Sequence, residues 1–200
     1  MSFSRFVHKA HRFVLPSFVG LIQKIRCLFY KVLSSGSIIG SPILEQPILV
    51  VGEGNVKING RVKIGWRGSP FFLSTNAYFD TRTADALISV DDGTHINNGF
   101  SAIVEYTSIK IGKRVLIGTN VEIMDSDFHG LRLVDRPRSS AEWARPVVIE
   151  DDVFIGNSVH VLKGVTIGSG SVIGNGSVVV ASIPPNVIAA GNPARVIREL

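Results

Sequence analysis

A short segment with two acidic residues and a histidine is the most chemically capable part of the sequence. It runs Asp125-Ser-Asp-Phe-His129. An unperturbed imidazole has a pKa of about 6.5, so a histidine can accept a proton at neutral pH. Asp125 and Asp127 are two residues apart, and in an extended strand both would point to one side. There they could bind hydroxyl groups or orient the imidazole, with stabilisation of a turn as the alternative.

The other reactive or aromatic side chains contribute less. Trp143 lies at the far end of the polar stretch after His129, where an indole could support a flat ligand or anchor the loop. His95 and His160 fall inside a regular repeat and are interpreted as structural. The single cysteine, Cys27, excludes an internal disulfide and a cysteine-based zinc site. The chemistry therefore concentrates around His129.

A six-residue repeat supplies the framework for this segment. Neither a helix of 3.6 residues per turn nor a two-residue alternation produces this spacing, which needs a short strand and a turn in every hexad. Three hexads close one coil, and successive coils stack by strand pairing at about 4.8 Å. The pattern predicts an all-β parallel β-helix. The same phase appears upstream at Ile111, Ile117 and Ile123, and the hexads at Ile58 and Ile64 are fainter. The strongest run of residues in phase is Ile149, Ile155, Val161, Ile167, Ile173 and Val179.

The repeat is interrupted twice. The step from Ala102 to Ile111 is longer than six residues, and a much longer excursion separates Ile123 from Ile149. Insertions in a solenoid leave as loops, and binding sites commonly form on them. We therefore expect the site at these two breaks, with the main loop over residues 124–146.

Residues 1–45 form a separate basic arm. Residues 1–44 contain six Lys or Arg and no acidic residue, whereas the rest of the chain is close to neutral. Such a distribution argues against a nucleic-acid-binding body. Three- and four-residue apolar spacing predicts one or two amphipathic helices, interrupted or kinked near Pro16 and Gly20. Residues 1–35 would either contact an anionic membrane surface or pack on the protein, and the expected location is cytoplasmic, at the membrane face in the first case.

The sequence resembles the hexapeptide-repeat acyltransferases over about residues 50–200. The similarity is greatest to galactoside and maltose O-acetyltransferases and to related enzymes of surface-polysaccharide synthesis. It rests on the hexads, on the segment Ile123–His129, and on the closing run Gly-Asn-Pro-Ala-Arg-Val-Ile-Arg at 191–198. The resemblance implies a left-handed β-helix over residues 46–200 and a homotrimer with active sites between subunits.

The resemblance also assigns roles to individual residues. It makes His129 the general base and Asn98 an acceptor-binding residue. Tyr106 stands where the galactoside enzymes carry an acid, with Glu105 just before it. The full set of acceptor-binding candidates is Asn98, Glu105, Asp125, Asp127 and Trp143.

For coenzyme A the resemblance points to the last coils. Asn157 and Asn175 match contacts to the pantetheine arm, whereas Val180-Ala181 replaces the usual Thr-Lys pair. Asn192-Pro193 is a good helix start, so residues 193–199 are predicted to form a short helix. That helix would place Arg195 and Arg198 on one face to grip phosphate.

The predicted function is transfer of an acetyl group from acetyl-CoA to a sugar hydroxyl. No metal is expected, because a β-helix carbonic anhydrase needs three histidines and only His129 occupies a loop position. Two alternatives remain: N-acetylation of an amino-sugar nucleotide, which could use the same base, and a non-catalytic binding role. The acceptor and the hydroxyl that is modified are left open by the sequence.

Overall fold

A left-handed parallel β-helix forms the body of the protein. The computed structural model describes residues 3–200, with side chains from residue 17 onward, so Arg5, Lys9 and Arg12 lie outside the described side chains. The elements are α1 (Phe3–Leu33), β1 (Ile38–Ile39), β2 (Ile43–Leu44), β3 (Ile48–Gly52), β4 (Asn55–Ile58), β5 (Lys63–Ile64), β6 (Ala77–Thr81), β7 (Leu87–Val90), β8 (His95–Ile96), β9 (Ser101–Val104), β10 (Ser108–Ile111), β11 (Leu116–Ile117), β12 (Glu122–Met124), β13 (Val147–Ile149), β14 (Phe154–Ile155), β15 (His160–Val161), β16 (Thr166–Ile167), β17 (Val172–Ile173), β18 (Val178–Val179), β19 (Val187–Gly191) and β20 (Ala194–Glu199). From β1 to β18, each strand pairs with the strand three positions along the chain, so there are three sheets and three consecutive strands make one coil. Strands β19 and β20 extend the sheet of β17.

The predicted hexads are the core of this β-helix. Their side chains are buried inside the coils, where each aliphatic group stacks on its equivalent one coil away. The strand register confirms the six-residue period, because paired residues are three hexads apart: Ile149 with Ile167, Ile155 with Ile173, and Val161 with Val179.

Three loops leave the coils. Residues 105–107 connect β9 to β10, and residues 125–146 connect β12 to β13, at the two predicted breaks. A third loop, over residues 65–76 between β5 and β6, was not predicted. The hexads around Ile58 and Ile64 are too weak in the sequence to reveal a break beside them.

The N-terminal arm is one helix, the first of the two predicted alternatives. Helix α1 continues through Pro16 and Gly20 without an interruption. The first coil begins at Ile38, inside the stretch assigned to the arm from sequence. Within its described part, the chain has no helix with both the length and the hydrophobicity needed to cross a bilayer.

The predicted C-terminal helix is wrong. Residues 194–199 form β20, which pairs antiparallel with β19 after a turn at Gly191, whose φ is 108°. The β-branched Val196 and Ile197 suit a strand, and the unpaired edge of β19 offers it hydrogen bonds. The pairing of β20 with β19 therefore outweighed the preference of Asn192-Pro193 for a helix start.

Candidate functional site

His129 lies in the long loop, just after a residue with unusual backbone geometry. Phe128 has a φ of 62°, a conformation that residues other than glycine seldom adopt. Its amide donates to Ser126 Oγ at 3.0 Å, and the Arg82 guanidinium lies 4.3 Å from its ring centroid. Gly130 follows, where a Cβ atom would lie 2.3 Å from Asp135 Cβ. These contacts fix the backbone on both sides of His129.

The imidazole of His129 is held by one backbone carbonyl. Its Nδ1 atom lies 3.1 Å from the carbonyl oxygen of Arg136. A carbonyl only accepts, so Nδ1 carries the proton and donates. In the neutral ring Nε2 then has a free lone pair and can accept a proton. The ring is exposed, so a substrate can reach it.

A cavity of about 320 Å³ opens beside this imidazole. Two of the predicted acceptor-binding residues, Asp127 and Trp143, line it together with His129, although they are far apart in the loop sequence. The cavity has acidic and basic groups on its wall, as a site for a polar ligand would. The lining residues are Asp127, His129, Leu131, Arg132, Asp135, Trp143 and Lys163.

Lys163 is a site residue that sequence reasoning missed. Its Nζ atom donates to Asp127 Oδ2 at 2.6 Å and to the Trp143 carbonyl oxygen at 2.8 Å. Lys163 follows β15, and β15 pairs with β12, the strand that leads into the loop. The sequence does not show that Lys163 lies beside the loop, because this placement follows only once β15 is known to pair with β12.

Asp125, another predicted acceptor-binding residue, is hydrogen-bonded to the short loop over residues 105–107. It is fully buried, and its carboxylate accepts from the amides of residues 105, 106 and 107 and from Thr107 Oγ1, at 2.8–3.1 Å. Its carbonyl oxygen accepts from Arg145 N at 2.8 Å, which closes the base of the long loop. β12 ends at Met124, so the strand alternation that would have aligned Asp125 with Asp127 does not apply. These contacts favour the alternative of turn stabilisation for Asp125.

Glu105 joins the two loops. Its Oε2 atom accepts from Ser139 Oγ at 2.7 Å, and its carboxylate lies 4.0 Å from Arg82 Nη1. Arg82 also donates to Asp80, and the Tyr78 hydroxyl donates to the same carboxylate oxygen. Burial and the neighbouring Asp80 raise the pKa of Tyr78, so its hydroxyl stays protonated. This network contacts the long loop through Ser139. Glu105 is not among the described residues that line the His129 cavity.

Asn98, predicted to bind the acceptor, lies beneath the loop over residues 65–76. It is fully buried, and its Nδ2 donates to the carbonyl oxygens of Trp66, Ser69 and Pro70. Its Oδ1 accepts from the Trp66 amide at 3.0 Å. In the single chain, the side-chain amide of Asn98 is therefore buried and hydrogen-bonded to the unpredicted loop.

The predicted coenzyme A contacts lie elsewhere on the chain. Asn175 Oδ1 accepts from Asn157 N, and Asn157 Oδ1 accepts from Thr119 N, so both side chains bridge turns of stacked coils. Asn157 lines a second cavity of about 460 Å³ on the outer face of the β8–β11–β14 sheet. None of the four predicted cofactor residues is among the described residues lining the His129 cavity.

Arg195 and Arg198 share a face, though for a different reason than predicted. In β20 they pair with Ala190 and Ile188, which are two residues apart and therefore point to the same side. A register shift in β20 makes this possible, because it inserts an extra residue between the two arginines. The pair remains suited to a phosphate group.

The two repeat histidines are on the surface of the coils. His160 Nδ1 lies 3.0 Å from Glu122 Oε2 on the next coil, and His95 lines the second cavity. Neither lines the cavity of His129. Among the described side chains, no group of three His, Cys, Asp or Glu is placed to hold a metal ion.

The coils and their loops have the architecture of a hexapeptide-repeat β-helix. Residues 146–181 match the family described as bacterial transferase hexapeptide (six repeats). The resemblance to hexapeptide-repeat acyltransferases is thereby confirmed.

Three known proteins illustrate the similarity. Galactoside O-acetyltransferase of Escherichia coli K12 is 41% identical over 120 residues, covering 56% of this chain and 57% of that protein. A galactoside acetyltransferase solved in complex with coenzyme A is 32% identical, with a TM-score of 0.52, and 71% of this chain and 64% of that one align. A hexapeptide-repeat acetyltransferase of Vibrio cholerae is 26% identical, with a TM-score of 0.53, over 96% of this chain and 89% of that one. The chain spans about half the length of the curated relatives it matches.

Proposed function

We propose that this protein is an acetyltransferase that transfers the acetyl group of acetyl-CoA to a sugar hydroxyl, with His129 as general base. The observation that carries the proposal is the 3.1 Å contact between His129 Nδ1 and the Arg136 carbonyl oxygen. It leaves Nε2 as the proton acceptor at an exposed ring beside a polar cavity. The similarity to galactoside O-acetyltransferases supports the same reaction class.

The proposed reaction requires one proton acceptor and forms no covalent intermediate on the protein. His129 Nε2 takes the proton of the acceptor hydroxyl as its oxygen attacks the thioester carbonyl carbon. The C–S bond then breaks, and the imidazolium returns its proton to the departing thiolate sulfur. A backbone N–H facing the carbonyl oxygen would stabilise the negative charge that develops there. Asp127 and Trp143 lie on the same cavity wall and would contact the sugar.

Acetyl-CoA is proposed to lie along the last coils. Arg195 and Arg198 on one face of β20 would supply positive charge for its phosphates. Asn157, which lines the cavity on the β8–β11–β14 sheet, would contact the pantetheine arm. Arg195→Ala with Arg198→Ala should raise KM for acetyl-CoA and leave the KM for the sugar unchanged.

A homotrimer with shared sites is part of the proposal. Within one chain, the His129 cavity and the cavity that holds Asn157 have no lining residue in common. The loop also carries three strongly exposed apolar side chains, Leu131, Leu133 and Val134, which a neighbouring subunit would cover. At low acetyl-CoA concentration, mixed oligomers of His129→Ala chains and Arg195→Ala/Arg198→Ala chains should be more active than either variant alone. A monomeric mass in solution, with no recovery on mixing, would contradict shared sites.

The first experiment measures thiol release from acetyl-CoA with a panel of sugars and glycan fragments. His129→Ala should lower the rate by roughly 10²–10⁴. His129→Asn is the matched control, because its amide can still donate to the Arg136 carbonyl oxygen but cannot act as a base. Equal losses in both variants would assign the effect to proton transfer, and normal turnover in either would remove His129 as the base.

The product distinguishes the two candidate reactions. An ester-linked acetyl group, which mild alkali removes, supports O-acetylation. An alkali-stable amide formed on an amino sugar would replace that proposal with N-acetylation. Coenzyme A binding without turnover on any sugar or amino sugar would reject a sugar acceptor.

A further inference from the structure

Helix α1 binds the body of the protein through a polar face. Gln23 is buried, and its Nε2 donates to the Phe72 carbonyl oxygen at 2.9 Å and to the Glu45 carbonyl oxygen at 3.2 Å. Arg26 donates to the Thr75 carbonyl oxygen at 2.7 Å and to that of Phe72 at 3.2 Å. These bonds fix which side of the helix faces the β-helix.

The opposite side of α1 is apolar and exposed. At 100° per residue, six large apolar residues from Phe18 to Val32 fall on one stripe, on the far side of the helix from Gln23, and Leu33 lies at its margin. Each of them exposes more than half of its surface, which is unusual for so many large apolar side chains on one element. They are Phe18, Leu21, Ile25, Leu28, Phe29, Val32 and Leu33.

The charge around this stripe has one sign. Lys24 and Lys31 are exposed and border the stripe along one edge. Residues 1–44 contain six Lys or Arg and no Asp or Glu. Helix α1 thus has an apolar face bordered by lysines and no acidic residue. Such a helix complements a surface whose outer layer is negatively charged and whose interior is apolar.

We propose that α1 lies on the surface of an anionic lipid bilayer, with its apolar stripe at the boundary of headgroups and acyl chains. Phe18, Leu21 and their neighbours enter that boundary, and Lys24 and Lys31 contact acidic headgroups. Gln23 and Arg26 hold the β-helix against the opposite side of the helix, so the enzyme body stands on the membrane surface.

A second copy of the chain is the less suitable occupant. Two helices packed along this stripe would bring together segments that carry only positive charge, with no acidic residue to compensate. Anionic lipid supplies that compensation. Removal of the apolar stripe and removal of the two lysines should therefore each weaken binding.

The test is flotation of the purified full-length protein with two kinds of vesicle. One is phosphatidylcholine alone, and the other contains about one third phosphatidylserine. The stripe variant carries Leu21→Ser, Ile25→Ser and Leu28→Ser, and the charge variant carries Lys24→Gln and Lys31→Gln. The control, Ile197→Ser with Leu200→Ser, removes apolar side chains of similar exposure (64% and 60%) at the other end of the chain. Thermal melting of the β-helix verifies that each variant is folded.

The parent and the control should float with the anionic vesicles and not with phosphatidylcholine. The stripe variant should stay at the bottom. One lysine near an anionic surface strengthens binding roughly fivefold, so the charge variant should bind about 25-fold more weakly. Equal flotation of the parent and the stripe variant, equal binding to both vesicles, or no flotation of the parent would overturn the proposal. If the parent does not float, and sedimentation gives it a larger mass than the stripe variant, the stripe mediates self-association instead.

Discussion

The Nζ atom of Lys163 lies 2.6 Å from Oδ2 of Asp127, although the two residues are 36 positions apart. The same Nζ atom donates to the carbonyl oxygen of Trp143, so one amine joins both ends of the loop that carries His129. The amine sits on the rigid coil, and the loop around the cavity takes its position from it.

Loss of this amine should impair catalysis more than stability. We expect Lys163→Met to lower kcat/KM about 10–100-fold, because small misplacements of reacting groups are costly. The ion pair is partly exposed, so the free energy of unfolding should fall by less than about 1 kcal/mol. Steady-state kinetics and urea unfolding measure the two effects.

Arg114→Met is the matched control for Lys163→Met. It removes another cation that joins two coils through a carboxylate, Asp152, without lining the His129 cavity. Its kinetics should be those of the parent. A similar kinetic loss in both variants would mean that Lys163 acts only through general stability.

Replacement of Asp125 should mainly reduce the stability of the protein. The buried carboxylate of this residue satisfies three backbone amides and one hydroxyl, and an asparagine would direct an NH₂ group at some of those donors. We expect Asp125→Asn to lower the free energy of unfolding by about 2–4 kcal/mol. Asp151→Asn, at an exposed carboxylate that accepts from Lys113 N, should change it by no more than about 0.5 kcal/mol. Equal, small effects in urea unfolding would refute the anchoring role.

Gly130 should tolerate no side chain. The added Cβ of Gly130→Ala would lie 2.3 Å from Asp135 Cβ and 2.6 Å from the Asp135 carbonyl oxygen, so the loop must move away from Arg136. We expect a loss in kcat/KM of about 100-fold, because the His129 contact to that carbonyl oxygen is displaced. Gly20→Ala, in open space on a helix, should instead stabilise the protein by up to about 1 kcal/mol. Parent-like turnover of Gly130→Ala would argue against a fixed imidazole.

The contact between Arg114 and Asp152 should make stability depend on pH at the acidic end. Hydrogen bonding and the charge of Arg114 lower the pKa of Asp152 below its usual 3.8. The folded state therefore gains stability above pH 3.8 and loses that gain as the pH falls through the lowered value. Relative to Arg114→Met, the stability advantage of the parent should be constant at neutral pH and shrink below pH 3.8. An advantage that persists at low pH, followed by urea unfolding at each pH, would show that the charge pair is not its source.

Hexad residues such as Ile155 and Ile173 were correctly placed from the sequence because their burial is repeated. Each inward position recurs at the same interval, so one local rule fixes both the strand and the side that faces the core. The long loop was found for the same reason, since an insertion is visible wherever the period fails.

Only the tertiary structure decided which groups the carboxylates of Asp125 and Asp127 contact. The two residues are similar in sequence context, yet one is buried under the amides at 105–107 and the other pairs with Lys163. Their partners come from other coils, and no local pattern encodes which coil lies beside a loop. The strand at 194–199 is a similar case, because the free edge of β19 outweighed a favourable helix start.

By itself the sequence determined the period, the parallel stacking of coils and the loop histidine, because these depend on residue types at regular spacing. The tertiary structure alone decided which polar groups surround His129 and which face of α1 meets the body. Hydrogen bonds from Gln23 and Arg26 to backbone carbonyl oxygens of the body orient the apolar stripe of that helix outward. Such choices depend on donors and acceptors brought together from distant parts of the chain, and their geometry exists only once the coils have stacked.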